Sequence, residues 1–87
     1  MTTIYKYPLR IQSFQRITLP RNAEILSAQI QGGNICLWAK VDTSEPLESQ
    51  SIAIYGTGQE LPDSEMTHIA TVQMDEFVWH VFEISKQ

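Results

Sequence analysis

Glu24-Ile25-Leu26-Ser27-Ala28-Gln29-Ile30-Gln31-Gly32-Gly33-Asn34-Ile35-Cys36-Leu37-Trp38-Ala39-Lys40-Val41-Asp42 is the stretch whose reading decides the fold. From Ile25 to Gln31, Leu26, Ala28 and Ile30 alternate with Ser27, Gln29 and Gln31, the period-two pattern of a strand with one buried face. Gly32-Gly33-Asn34 supplies residues that tolerate positive φ, as a tight hairpin requires, so Ile25–Gln31 and Ile35–Asp42 are predicted to pair antiparallel. The return strand is apolar on both faces in its first half, which places it in the middle of a sheet.

The same period continues outward. Ile4 to Ile11 puts Tyr5, Tyr7, Leu9 and Ile11 on one face. Pro8 has no amide to give a ladder, so this strand belongs at an edge or carries a break. Phe14 to Leu19 alternates in the same way until Pro20 and Asn22 open a turn. Thr43 to Gln50, with two glutamates and a proline among its serines and threonines, reads as a loop, followed by a short strand from Ile52 to Tyr55. Gln59 to Glu65 reads as a second, acidic loop. Thr67–Met74 and Phe77–Ile84 close the chain through Asp75-Glu76, and the last strand is apolar on both sides. Strands this short and this regularly spaced predict an all-β fold. The expected architecture is a small antiparallel β-sandwich or barrel of about six to seven strands, with no long helix, as one domain over residues 1–87.

Composition narrows the function classes. At 9.9 kDa the folded surface scales to roughly 5,200 Å² against about 14,000 Å² unfolded, so the core is thin. Six Lys and Arg against ten Asp and Glu give a formal charge of −4, which repels a nucleic-acid backbone, so no DNA or RNA partner is expected. A lone Cys36 forms no intrachain disulfide and no cysteine zinc site, and it fits a reducing cytoplasm. The start of the sequence has no apolar signal core, and no apolar run is long enough to span a membrane as a helix. Two strands apolar on both faces leave surface for a second subunit, so a homodimer or higher homo-oligomer is expected, buried through the strands that bear Trp38 and Trp79.

Chemistry-bearing residues are sparse. His68 and His80 lie on different predicted strands with no metal-ligand spacing, so no metal, cofactor or catalytic residue is expected. Cys36 would meet His80 only if their strands paired, and a buried strand cysteine is ordinarily a small hydrophobe. Gly56-Thr57-Gly58 lacks the lysine and helix of a phosphate loop. It reads either as a bend, in which Gly56→Val fails through φ or a lost bulge, or as a turn whose exposed amides receive an anion. Arg10, Arg16 and Arg21, with the aromatic faces of Trp38, Tyr55 and Trp79, complete a candidate ligand-binding set with Gly56, Thr57 and Gly58. Aromatic faces hold a planar ring, and arginine pairs with phosphate through two parallel hydrogen bonds.

Five motifs stand in order along the chain: Tyr5-Lys6-Tyr7-Pro8-Leu9; Leu19-Pro20 with Ala23-Glu24-Ile25-Leu26; Cys36-Leu37-Trp38-Ala39 with Val41-Asp42; Ile54-Tyr55-Gly56-Thr57-Gly58; and Val78-Trp79-His80-Val81-Phe82-Glu83. As a set the chain resembles a family of short phage and prophage proteins known only as a domain of unknown function. The resemblance implies a phage-encoded accessory protein in the bacterial host cytoplasm and brings no catalytic residues. In that setting the expected function is a non-enzymatic binder, most concretely a homo-oligomeric sponge that sequesters a nucleotide-derived bacterial immune signal. The alternatives are an interaction module that inhibits a host defence or regulatory protein and, behind it, an enzyme that cleaves a small ligand.

Overall fold

The computed structural model describes residues 1–85, so the last two positions of the expected 1–87 domain lie outside the described residues. These form seven strands: β1 (Thr2–Pro8), β2 (Gln15–Pro20), β3 (Glu24–Gln31), β4 (Asn34–Asp42), β5 (Leu47–Gly56), β6 (Met66–Met74) and β7 (Phe77–Ile84). Every pairing is antiparallel, and no helix occurs among the described residues. The strands build a three-stranded sheet, β1-β4-β3, and a four-stranded sheet, β2-β5-β7-β6. The fold is therefore a sandwich, not a closed barrel.

The hairpin read from Gly32-Gly33-Asn34 forms, with Gly32 and Gly33 at φ 59° and 80° and Gln31 opposite Asn34. Asn34 belongs to the strand, so the loop is the two glycines alone, the connection whose twist matches the flanking strands. The two strands that are apolar on both faces are interior: β4 lies between β1 and β3, and β7 between β5 and β6. Pro8 sits at the end of an edge strand, opposite Cys36.

Three local expectations are corrected. In β3, Leu26 does not share the buried face with Ala28 and Ile30. A bulge between Ile25 and Ser27 shifts the phase, so Ile25 packs on the core and Leu26 is left exposed. In the first strand the ladder stops at Pro8. Leu9 is buried just beyond it, while Tyr5 and Ile11 are exposed. The segment read as a loop over Thr43–Gln50 is strand from Leu47 onward, because β2 supplies a complete ladder for it, from Pro20 opposite Leu47 to Gln15 opposite Ile52. Gln50 is consequently buried, and its amide donates to the Ile84 carbonyl at 3.0 Å and to that of Ser51 at 3.2 Å, as a buried amide must.

The core lies between the sheets. Ile35, Leu37, Ala39 and Val41 of β4 face Ile52 and Ile54 of β5, Val72 of β6 and Val81 of β7. Since side chains alternate, the same strands present a second row outward, and the candidate site is built on the outer row of β5, β6 and β7.

Candidate functional site

In β5 and β7 Tyr55 stands opposite His80 and Ala53 opposite Phe82, so Tyr55, His80 and Phe82 share the outer face of the four-stranded sheet. Where β5 ends, the chain folds over this face. Gln59 N donates to Gly56 O at 3.1 Å, and Gly58 takes φ 89°, a conformation that favours glycine. The result is a cleft of about 270 Å³ lined by Tyr55, Gly56, Thr57 and Gly58 with Gln59, Leu61, His80 and Phe82.

Its polar edge is a chain of side chains. Thr57 Oγ1 lies 2.7 Å from His80 Nε2, His80 Nδ1 lies 3.1 Å from Thr71 Oγ1, and Thr71 Oγ1 lies 2.9 Å from His68 Nε2. The His68 ring meets the Phe82 ring edge-on at 5.5 Å. His68 and Thr71 are three residues apart and would face opposite ways in a regular strand. A bulge between His68 and Ala70 restores both to the outer face, opposite Phe82 and His80. Bulges of this kind re-aim a side chain and recur beside functional sites.

The turn offers less backbone than its three residues promise. Gly56 N donates to Gln59 Oε1 at 3.0 Å and Thr57 N to Val78 O at 3.3 Å. Among the described residues only the Gly58 amide of the three is left to face a ligand.

Of the candidate ligand-binding set, Tyr55, Gly56, Thr57 and Gly58 come together in the cleft and the others do not. Trp79 points to the core side, where its Cζ3 lies 3.3 Å from where a Gly56 Cβ would stand, and it stacks on Phe77 at 6.0 Å. Its indole Nε1 is buried with no partner among the described residues. Trp38 is on the outer row of the other sheet, between Lys6 and Ser27. Arg21 pairs with Glu48 at 3.3 Å, near the far end of β5 and about 30 Å of strand away from Thr57. Arg10 is held at the start of the β1–β2 loop, where its amide and carbonyl both bond the Gln15 side chain. Arg16 lies over Phe14 at 5.4 Å and opposite Ser51, which puts it on the cleft's face but about 13 Å along the sheet from Tyr55. Cys36 and His80 belong to different sheets and do not meet. Among the described residues no three His, Cys, Asp or Glu side chains gather at metal-binding distance.

Gln59, Leu61, His80 and Phe82 line the cleft outside the expected set, although His80 and Phe82 both stand in the Val78–Glu83 motif. Alternation in β7 does put His80 and Phe82 on one face. The pairing of β7 with β5, which brings them to Tyr55, is a matter of strand order, and local pattern does not encode it.

A family model described as a domain of unknown function, DUF7352, matches residues 1–87. The chain belongs to the DUF7352 family. No curated protein and no solved structure is significantly similar to it. Membership in the DUF7352 family brings no site residues with it, so the cleft rests on its geometry alone.

Proposed function

We propose that this protein is a non-enzymatic binding protein, acting as a homo-oligomer, that takes the planar ring of a small ligand into the cleft beneath Gly56-Thr57-Gly58. The observation that supports this is the cleft's make-up: Tyr55, Phe82 and Leu61 form apolar walls, and Thr57 with His80 forms one polar edge. Small-ligand sites combine apolar and aromatic lining with a few convergent polar groups in this way. The volume of about 270 Å³ falls just under the usual range of about 300–1,000 Å³, which suits one ring system and not a whole dinucleotide. The concrete form of the reading is a phage-encoded sponge for a nucleotide-derived immune signal in the bacterial cytoplasm, since sequestration needs affinity and copy number and no catalytic group.

One observation favours the second reading, an interaction module that blocks a host protein. The outer row of β1-β4-β3 exposes Ile4 and Leu26 beside half-buried Trp38, and β1 is an unpaired edge of the kind that other chains can extend.

Purification from bacteria with an active nucleotide-signalling defence, followed by heat release and mass spectrometry, separates the readings. Intact nucleotide from the native protein and none from Thr57→Glu is the expected result, because the new carboxylate would stand in the cleft mouth. A host protein retained with no released nucleotide would favour the interaction module, and a chemically altered ligand would favour an enzyme.

A further inference from the structure

We infer that the cleft receives a ligand that carries an oxyanion beside its planar ring, as a nucleoside monophosphate does, and that the hydroxyl which binds it is set as a donor by the chain Thr57–His80–Thr71–His68. This rests on the reading of the cleft as a ligand site and names the chemistry of its polar edge.

Three links of 2.7, 3.1 and 2.9 Å join the four side chains. Each link holds one hydrogen. A neutral imidazole has one donor and one acceptor nitrogen, and a hydroxyl has one proton and two lone pairs. The neutral chain therefore has two coherent senses. In one, Thr57 donates to His80 Nε2, His80 Nδ1 donates to Thr71, and Thr71 donates to His68 Nε2. Thr57 then turns only lone pairs to the cleft and repels an anion. In the other sense every bond is reversed, His80 Nε2 donates to Thr57, and the Thr57 proton is free to point at a ligand.

An added proton selects the second outcome at Thr57. With His80 doubly protonated, Nε2 donates to Thr57, Nδ1 donates to Thr71, and Thr71 still donates to His68, so every link is satisfied. A second proton, on His68, would aim two donors at Thr71 Oγ1, leave the Thr71 proton without its acceptor, and set two cations one hydroxyl apart. The links thus accommodate one added proton and not two, and with that proton in place Thr57 becomes a charge-backed donor. The Gly58 amide, unspent among the described residues, is a second donor beside it.

Among the described residues no Lys or Arg lines the cleft. Around His80 stand Tyr55 on β5, Thr71 and His68 on β6, and Val78 and Phe82 on its own strand. Arg16 is two strands away, and Glu83 faces the other side of the sheet. Glu60, Asp63 and Glu65 belong to the exposed loop that follows Gln59, and no described carboxylate comes within 4.0 Å of either imidazole. The arginines expected to pair with an anion line other parts of the surface, and the imidazole pair takes their place.

Adenosine and adenosine monophosphate, which differ by the oxyanion alone, are titrated against the protein at about pH 5.5 and about pH 7.5, values that bracket the ordinary titration of imidazole. Binding is followed by the resonances of Tyr55, Phe82, Leu61 and the two imidazoles. The expected result is that the monophosphate binds about tenfold or more tighter than adenosine at the lower pH, and that the ratio shrinks at the higher pH. In His80→Gln, which keeps the monophosphate's own ionisation but has no imidazole behind Thr57, the ratio should no longer fall as pH rises. Thr71→Val, equal in shape, should uncouple His68 from the shifts the monophosphate induces. Equal affinities at both pH values would overturn this inference and leave the cleft reading standing. If neither compound moved Tyr55, Phe82 or Leu61, the cleft reading would fall and take this inference with it.

Discussion

Gly56 and Thr57 are neighbours whose substitution should separate packing from ligand chemistry. Gly56 does not occupy the positive-φ region, so Gly56→Val does not fail there through a forbidden dihedral, contrary to the expectation from sequence. Its new Cβ would stand 3.3 Å from Trp79 Cζ3, in a ring that already stacks on Phe77. Overpacking of this kind costs about 1–3 kcal/mol, and thermal melting of Gly56→Val should show that loss. Thr57→Glu should melt close to the native protein, because Thr57 is exposed and its backbone is undisturbed. At this scale Tyr55, Gly56, Thr57 and Gly58 are legible in the sequence, as an aromatic followed by a glycine-bounded turn. Arg21 is misleading, because whether a cation faces a turn or a glutamate at the other end of the sheet depends on register.

Strand ends and bulges decide what the elements contribute. At the end of β4 the Ser44 hydroxyl and amide donate to Asp42 Oδ1 at 2.7 and 3.0 Å. The Ser44 hydroxyl bond, then its amide bond, holds the Asp42 carboxyl below its ordinary value. A carboxyl lowered by folding stabilises the native state above its unfolded pKa, and the contribution disappears as pH falls through the lower folded value. Asp42→Asn should therefore unfold at lower urea than the native protein at about pH 7, and the gap should close as pH falls below the ordinary Asp value of about 3.9. A gap independent of pH would mean that the carboxylate charge is not what the turn uses. The elements themselves were largely legible: alternation and glycine chemistry locate the β3–β4 hairpin, and β7 runs from Phe77 to Ile84 as read. The bulges at Leu26 and Ile69 were not. A bulge adds one residue to one strand and reverses the phase beyond it, while the local pattern of apolar and polar residues looks the same. The phase change in β6 is what joins His68 to Thr71, so the polar edge of the cleft was hidden with it.

The molecule as a whole is thin for its mass. Its Cα extents are 40 × 32 × 15 Å and its accessible surface is 5676 Å², against roughly 5,200 Å² from size scaling. Part of the excess is the outer row of β1-β4-β3, with Ile4, Leu26 and Trp38 flanked by Lys6, Lys40, Glu24 and Asp42. An apolar strip flanked by charges of both signs can meet a second copy of itself across a two-fold axis, so a second copy is its expected cover. Trp79 is not on this face, since it lies on the core side of the other sheet. Light scattering at tens of micromolar should report a dimer for the native protein and a monomer for Trp38→Lys; a native monomer would remove this face from the assembly. The strand order also governs how the chain comes into being. Only β3–β4 and β6–β7 are hairpins, whereas β1 must wait for β4, β2 for β5, and β5 for β7. At the roughly 5–20 residues per second of synthesis, the gap between Pro8 and Asp42 is about 2–7 s during which β1 has no partner. A ribosome stalled after β4 would hold a three-stranded sheet whose Ile35, Leu37, Ala39 and Val41 have nothing to cover them, and that nascent chain, more than the finished sandwich, is where a chaperone would be needed.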